Sequence, residues 1–180
     1  IAISNPHQGA EFFEGFANVI NALRNCPKIT IGRVQGKAVG GGVGLAAATD
    51  YCMATTHSEI KLSELTIGIG PFVIEPAVTR KIGLSAMSQL SLEASRFFSA
   101  QWAQEKGLFM KVCPSIGALD TEVKALAEQL CEYNPEALQK LNKTFWEGTE
   151  HWGELLNERA SISGRLVLSD FTKTQLKKYK

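Results

Sequence analysis

The chain has 180 residues, enough for one domain with a real core, and its 44% hydrophobic and 21% charged content is ordinary for a globular protein. A net charge of +1 gives no polyanion footprint, so nucleic acid is not an expected partner. No apolar run approaches a membrane span, so no membrane partner is expected either. The four cysteines, Cys26, Cys52, Cys113 and Cys131, are scattered and make no CxxC pair, which reads as reduced thiols in a cytoplasmic or organelle-matrix protein. No histidine or cysteine spacing suggests a metal site. The chain begins at Ile1 rather than methionine, and a preceding segment is expected.

Ile1–Gly9 is polar and turn-like. From Glu11, Phe12, Phe13, Phe16, Ile20 and Leu23 recur at three- and four-residue spacing, which predicts a helix with one buried face. Pro27 stops it near Asn25. Ile29–Val34 is a strand. Then comes Gly36–Asp50, with four glycines in five positions (Gly40, Gly41, Gly42, Gly44) and a helical run over Leu45–Ala48. Tyr51–Ala54 and Ile60–Leu62 are short extended segments. Ser63-Glu64-Leu65 follows, then a glycine-punctuated loop over Ile67–Pro71. From Pro76 the pattern is mostly helical: Pro76–Ile82 closed by Gly83, Ser85–Ala94, and Ser99–Lys106 with Ser99 as N-cap and Gly107 as stop. Leu108–Cys113 is a last strand. Ala118–Glu132, Pro135–Gly148 and Trp152–Ser169 are helices, and Ser169–Lys180 is a basic tail. Strands alternating with helices, then helices alone, predict an α/β core with a helical C-terminal region.

Three readings compete for the glycine stretch. Gly42-Val43-Gly44-Leu45-Ala46-Ala47 matches a dinucleotide fingerprint, but Gln35–Val39 separates the strand from the glycines. Tight strand–helix packing alone would need fewer glycines. The third reading is an oxyanion site, in which backbone N–H groups at a helix start stabilise developing negative charge. Such a site needs an acid or base beside it. Glu64 lies in the mostly apolar context Leu62-Ser63-Glu64-Leu65, where burial would raise its pKa towards a useful range. A solvated carboxylate at a strand end is the other reading of the same residue.

The ordered set Pro27-Lys28-Ile29-Thr30-Ile31, Gln35-Gly36, Ala38-Val39-Gly40-Gly41-Gly42, Leu45-Ala46, Asp50-Tyr51, Ile60–Leu65 and Phe98–Leu108 resembles the crotonase superfamily, the enoyl-CoA hydratase/isomerase family. The likeness runs from Pro27 through Val112. It implies a crotonase spiral of strand–strand–helix repeats over residues 1–116 and a helical region over 117–180 that builds a homotrimer or a dimer of trimers and contacts CoA. It implies a CoA thioester substrate, with no cofactor beyond that coenzyme A. Gly41 N–H falls at the second oxyanion donor, the first lying upstream of Ile1. Glu64 falls at the second catalytic glutamate, and Gly40, Leu65, Gly68, Pro71, Phe72 and Lys177 line or approach the substrate.

Two positions depart from the pattern. The first catalytic glutamate should stand at position 44, where this chain has Gly44, and the usual glycine-rich run after Pro71 is replaced by Phe72-Val73-Ile74-Glu75-Pro76. Phe72 would narrow the acyl pocket, while Glu75 is either a substitute acid or a helix-start carboxylate. One carboxylate still allows double-bond isomerisation. It can also serve a hydratase or feruloyl-type hydratase-lyase in which a single acid handles the proton. The sequence does not decide between hydration and isomerisation, but a higher ratio of isomerase to hydratase activity is expected than in relatives with two glutamates. A Clp-type serine peptidase is excluded, because Val43 and Gly44 offer no hydroxyl and His57-Ser58 is only a sequence neighbour pair. The non-enzyme alternative is a crotonase-like protein that binds acyl-CoA or merely assembles.

Overall fold

The computed structural model describes residues 3–178. Ile1 and the last tail residue, Lys180, lie outside them. Helix α1 spans Pro6–Arg24. It starts five residues before the apolar periodicity, because Asn5 caps it (Gln8 N–H to Asn5 Oδ1, 3.0 Å) and Pro6 suits the first turn. Ile31–Val34 is β1, Lys37–Val39 is β2 and Gly41–Ala48 is α2. Tyr51–Thr55 is β3, Glu59–Lys61 is β4, and Glu64–Ile67 forms a single 3-10 turn.

These elements form two successive strand–strand–helix repeats. Each repeat gives its first strand to one sheet, order β1-β3-β6, and its second to another, order β2-β4-β5, where β5 is Phe98–Ser99 and β6 is Lys111–Cys113. The pairs β1–β3 and β2–β4 are parallel, with Val39 opposite Lys61. Parallel neighbours deliver their following loops to the same edge, which is where such sheets present binding sites. The loops so delivered are Gly40-Gly41 and Ser63-Glu64.

Sequence periodicity misses β2 and β5. Both are too short to alternate visibly, and β2 exposes Lys37 and Val39 while burying only Ala38. Strand β2 therefore does run into the glycines, so the gap seen in the sequence is not what separates this turn from a dinucleotide loop. Helix α2 likewise starts at Gly41, not Leu45.

Helix α3 spans Glu75–Leu92, bent at Gly83, whose φ of 75° and ψ of 159° break the two predicted helices apart. Ala100–Glu105 is α4, capped by Ser99 as expected. Ile116–Cys131, Pro135–Phe145, Trp152–Leu166 and Asp170–Lys177 are α5, α6, α7 and α8. The basic tail is thus a helix, because Ser169 Oγ accepts the Thr172 N–H at 3.2 Å.

The core is built from α2, α3, β3 and β4, with Val43, Ala47, Cys52, Ile60, Leu62, Val78 and Leu90 fully or nearly fully buried. The C-terminal helices dock on that core. Trp146 Nε1 donates to Asp50 Oδ1 at 2.8 Å, and the Thr30 N–H and hydroxyl occupy Asp50 Oδ2. Trp146, Trp152 and Leu156 are buried within the chain itself. The apolar content of these helices, taken alone from the sequence, points to a subunit interface. Much of it is instead spent on intrachain packing.

Candidate active site

The carbonyl of Lys61 accepts the Gly40 N–H at 2.9 Å, locking the two loops together where β2 and β4 end. Gly40 has φ 55°, a conformation that favours glycine. A Cβ there would stand 2.9 Å from Glu64 Oε1. The turn and the carboxylate are therefore in direct contact. That contact disfavours a dinucleotide at the turn, since a pyrophosphate would meet the carboxylate's like charge.

Gly41 opens α2. Among the described residues its N–H has no partner, as expected for the first residue of a helix. A Cβ on Gly41 would meet the Phe16 ring at 2.2 Å, so a ring from α1 closes directly over this backbone. Glu64 opens the 3-10 turn, which ends at Gly68 with φ 86°. Its Oε2 is buried and has no hydrogen-bond partner among the described residues. Burial pushes the Glu64 carboxyl above its ordinary value, and its own backbone N–H offsets part of that rise.

A cavity of about 40 Å³ lies beside the carboxylate, lined by Phe13, Phe16, Gly41, Glu64, Phe72, Ile74 and Ser163 among others. Gly70 and Pro71 form the start of its rim, and the Phe72 ring folds back over Gly70. Phe72 is therefore one of the walls of this cavity.

Of the site residues expected from sequence, Gly41, Glu64, Pro71 and Phe72 share this cavity and Gly40 touches Glu64. Leu65 does not line it and is 44% exposed. Gly68 lies outside the cavity too: a Cβ there would meet Phe171 and Thr172 of α8, which covers the turn. Lys177 is exposed on α8. Glu75 is not free for chemistry: its Oε1 accepts the Thr79 hydroxyl at 2.5 Å and its Oε2 is ion-paired with Arg159.

Sequence reasoning missed Phe13, Phe16, Ile74 and Ser163 as walls. The two phenylalanines were legible only as the buried face of a helix, and nothing local marks Ser163. Ile74 also explains what the chain has done with position 44. A Cβ on Gly44 would lie 2.3 Å from Ile74 Cγ2, so Ile74 fills the space that a side chain there would use.

Among the described residues no group of three or more His, Cys, Asp or Glu could hold a metal, and no helix is long and apolar enough to cross a membrane.

The enoyl-CoA hydratase/isomerase family model matches residues 2–177. Among curated proteins, the chain is 31% identical over 120 residues to enoyl-CoA hydratase AKT6-1 of Alternaria alternata, covering 67% of this chain and 40% of that one. It is 31% identical over 135 residues to the bacillaene synthase dehydratase PksH of Bacillus subtilis, covering 75% and 46%. It is 31% identical over 153 residues to ethylmalonyl-CoA decarboxylase of Gallus gallus, covering 83% and 51%. The chain thus spans about half or less of the length of these relatives. Among solved structures, an enoyl-CoA hydratase from Mycobacterium avium superposes with a TM-score of 0.86 at 23% identity, covering 97% of this chain and 68% of that one. An enoyl-CoA hydratase/isomerase family protein from Silicibacter pomeroyi gives 0.70 at 31% identity, covering 74% and 57%. With the repeats, the glycine turn and the facing glutamate in place, the chain has the crotonase fold and belongs to the enoyl-CoA hydratase/isomerase family.

Proposed function

We propose that this protein is an acyl-CoA enzyme that moves a proton at the carbon next to the thioester, with Glu64 as general acid and base and the Gly41 N–H as an oxyanion donor. The observation that carries the reading is the unpartnered, buried Glu64 Oε2 beside the unpaired start of α2. A carboxylate whose pKa is raised by burial is a stronger base than an ordinary carboxylate and is suited to take and return a proton. The negative charge that appears on the thioester oxygen meanwhile needs fixed donors, and a backbone N–H at a helix start supplies one without reorganisation.

The similar proteins named above are a hydratase, a dehydratase and a decarboxylase. Each of those reactions can pass through a thioester enolate, so the common element is the oxyanion site, while the acid–base group varies. In isomerisation, Glu64 removes a hydrogen from the α-carbon of a 3-enoyl thioester. The electron pair spreads to the thioester oxygen, and Glu64 returns the proton to the γ-carbon. No water is consumed.

The test is exchange of α-hydrogens of a short acyl-CoA for solvent deuterium, read by mass spectrometry. The protein should incorporate deuterium, and Glu64→Gln should slow incorporation by about two to four orders of magnitude. A small cavity and the absence of a carboxylate at Gly44 favour a second reading, a protein that binds acyl-CoA without turning it over. Tight thioester binding with no exchange by the unaltered protein would select it.

Assembly as a homotrimer or dimer of trimers belongs to the same proposal. Ile116, Tyr133, Leu141 and Phe145 remain exposed on α5, α6 and the loop between them, and a groove of about 470 Å³ lined by Ile29, Ile31, Leu130 and Leu138 is open nearby. A monomer by light scattering at micromolar concentration would contradict it.

A further inference from the structure

The cavity beside Glu64 has only two polar side chains in its wall, Glu64 and Ser163. A void must reach roughly 10–15 Å³ to hold a water, and the water needs two to four polar partners. At about 40 Å³ this cavity is large enough. Glu64 Oε2 offers one buried acceptor with no partner of its own.

Ser163 is placed here by a close helix crossing. A Cβ on Gly9 of α1 would lie 2.5 Å from the Gly164 carbonyl oxygen, and one on Gly164 of α7 would lie 2.4 Å from the Ala10 nitrogen. The two backbones touch. The residue just before Gly164 is thereby pressed into the wall that Phe13 and Phe16 of α1 also form. Ser163 is 1% exposed, and its hydroxyl is not among the fully buried polar atoms that lack a partner. Helical serines usually settle by donating to the carbonyl four residues back, as Ser161 does to Asn157 at 3.2 Å. Ser163 makes no such bond among the described residues.

Position 44 cannot help. Gly44 has no side chain, and Ile74 fills its place with methyl groups. We infer that Ser163 is the second holder of the reacting water, or of the β-hydroxyl in the reverse direction, taking the part that a carboxylate at position 44 would otherwise play. The inference rests on the reading of Glu64 as the acid and base. In the step, the water oxygen bonds to the β-carbon while one of its O–H bonds breaks and that proton passes to the Glu64 carboxylate. The C=C electron pair moves to the thioester oxygen. Glu64 then returns the proton to the α-carbon as the enolate collapses. Ser163 Oγ accepts a hydrogen bond from the water's second hydrogen and exchanges no proton, so one water is consumed and the carboxylate is regenerated.

The experiment compares two reactions in one variant. In Ser163→Ala, kcat/KM for hydration of a short 2-enoyl-CoA should fall about tenfold to a hundredfold, the loss of one hydrogen bond made to the reacting water. Exchange of α-hydrogens from a saturated acyl-CoA needs no held water, so in the same variant it should fall at least about fivefold less than hydration does. Ser163→Thr, which keeps the hydroxyl, should recover part of the hydration, and Ser163→Cys, a weak acceptor of similar volume, should repeat the loss if the alanine variant does not fold. Unchanged hydration, or hydration and exchange falling together, overturns the role of Ser163. Absence of exchange in the unaltered protein overturns the reading of Glu64 instead, and the inference with it.

Discussion

Two carboxylates flank the Gly70–Ile74 loop, and their surroundings differ in kind. Around Glu64 the walls are mostly aromatic rings, aliphatic side chains and bare backbone, with Ser163 the one other polar side chain, and one carboxylate oxygen is buried with no partner among the described residues. Around Glu75 every acceptor is used: Thr79 donates to one oxygen and Arg159 to the other, while Arg159 also reaches the Phe72 carbonyl at 3.4 Å. The first arrangement leaves a group poorly solvated and free to take a proton. The second spends an identical group on tying the Phe72 loop to α7. A carboxylate's role here follows from which partners the fold supplies, and residue type alone would have left both as candidate acids.

The largest expected effect separates the two directly. Glu64→Gln should cost about two to four orders of magnitude in α-hydrogen exchange, whereas Glu75→Gln should retain it within a few-fold. Comparable losses in both variants would dissolve the distinction.

Next in size is the attempt to give the pocket a second carboxylate. Gly44→Glu alone must displace Ile74, and overpacking of this kind typically costs about 1–3 kcal/mol. Combined with Ile74→Ala, the glutamate should be accommodated and the product ratio should shift from isomerisation towards hydration. Chromatography of products from matched 2-enoyl and 3-enoyl CoA substrates reads the ratio, and a single variant as stable as the parent would show that Ile74 yields easily.

The smallest effect belongs to the tied carboxylate. Glu75 and Arg159 are each a little over one quarter exposed. Solvent screening therefore trims the pair, and Glu75→Gln should cost about 1–2 kcal/mol of stability by urea unfolding. No change in the unfolding midpoint would mean that the pair is a surface contact without consequence.

How much of this was legible in the sequence depended on the range of the interaction. The glycine turn, Ser99 as a cap and Gly83 as a break act within one turn of chain, and each was readable from its neighbours. The pairing of Gly40–Gly41 with Glu64 depends on β2 beside β4, and β2 is too short to show a period, so only the family likeness brought those residues together. The packing of Ile74 against position 44 and the meeting of Ser163 and Phe16 in one cavity wall join distant segments, set by shape and not by pattern. The same limit applies to Trp146 and Trp152. Their size marks them as apolar anchors, but whether they anchor to Asp50 of the same chain or to a neighbour is decided only by tertiary packing.

The most direct test of Glu64 as the proton carrier is the pH dependence of α-hydrogen exchange, followed as kcat/KM for the free enzyme. Burial disfavours the charged carboxylate, so its folded-state pKa lies above the ordinary value of 4.5, and the base is available only above that raised pKa. The rate should rise with pH through a single inflection displaced upward from the ordinary carboxylate range. That inflection should persist in Glu75→Gln and vanish in Glu64→Gln. An inflection that survives Glu64→Gln, or one that disappears with Glu75→Gln, would assign the proton to another group and contradict the account.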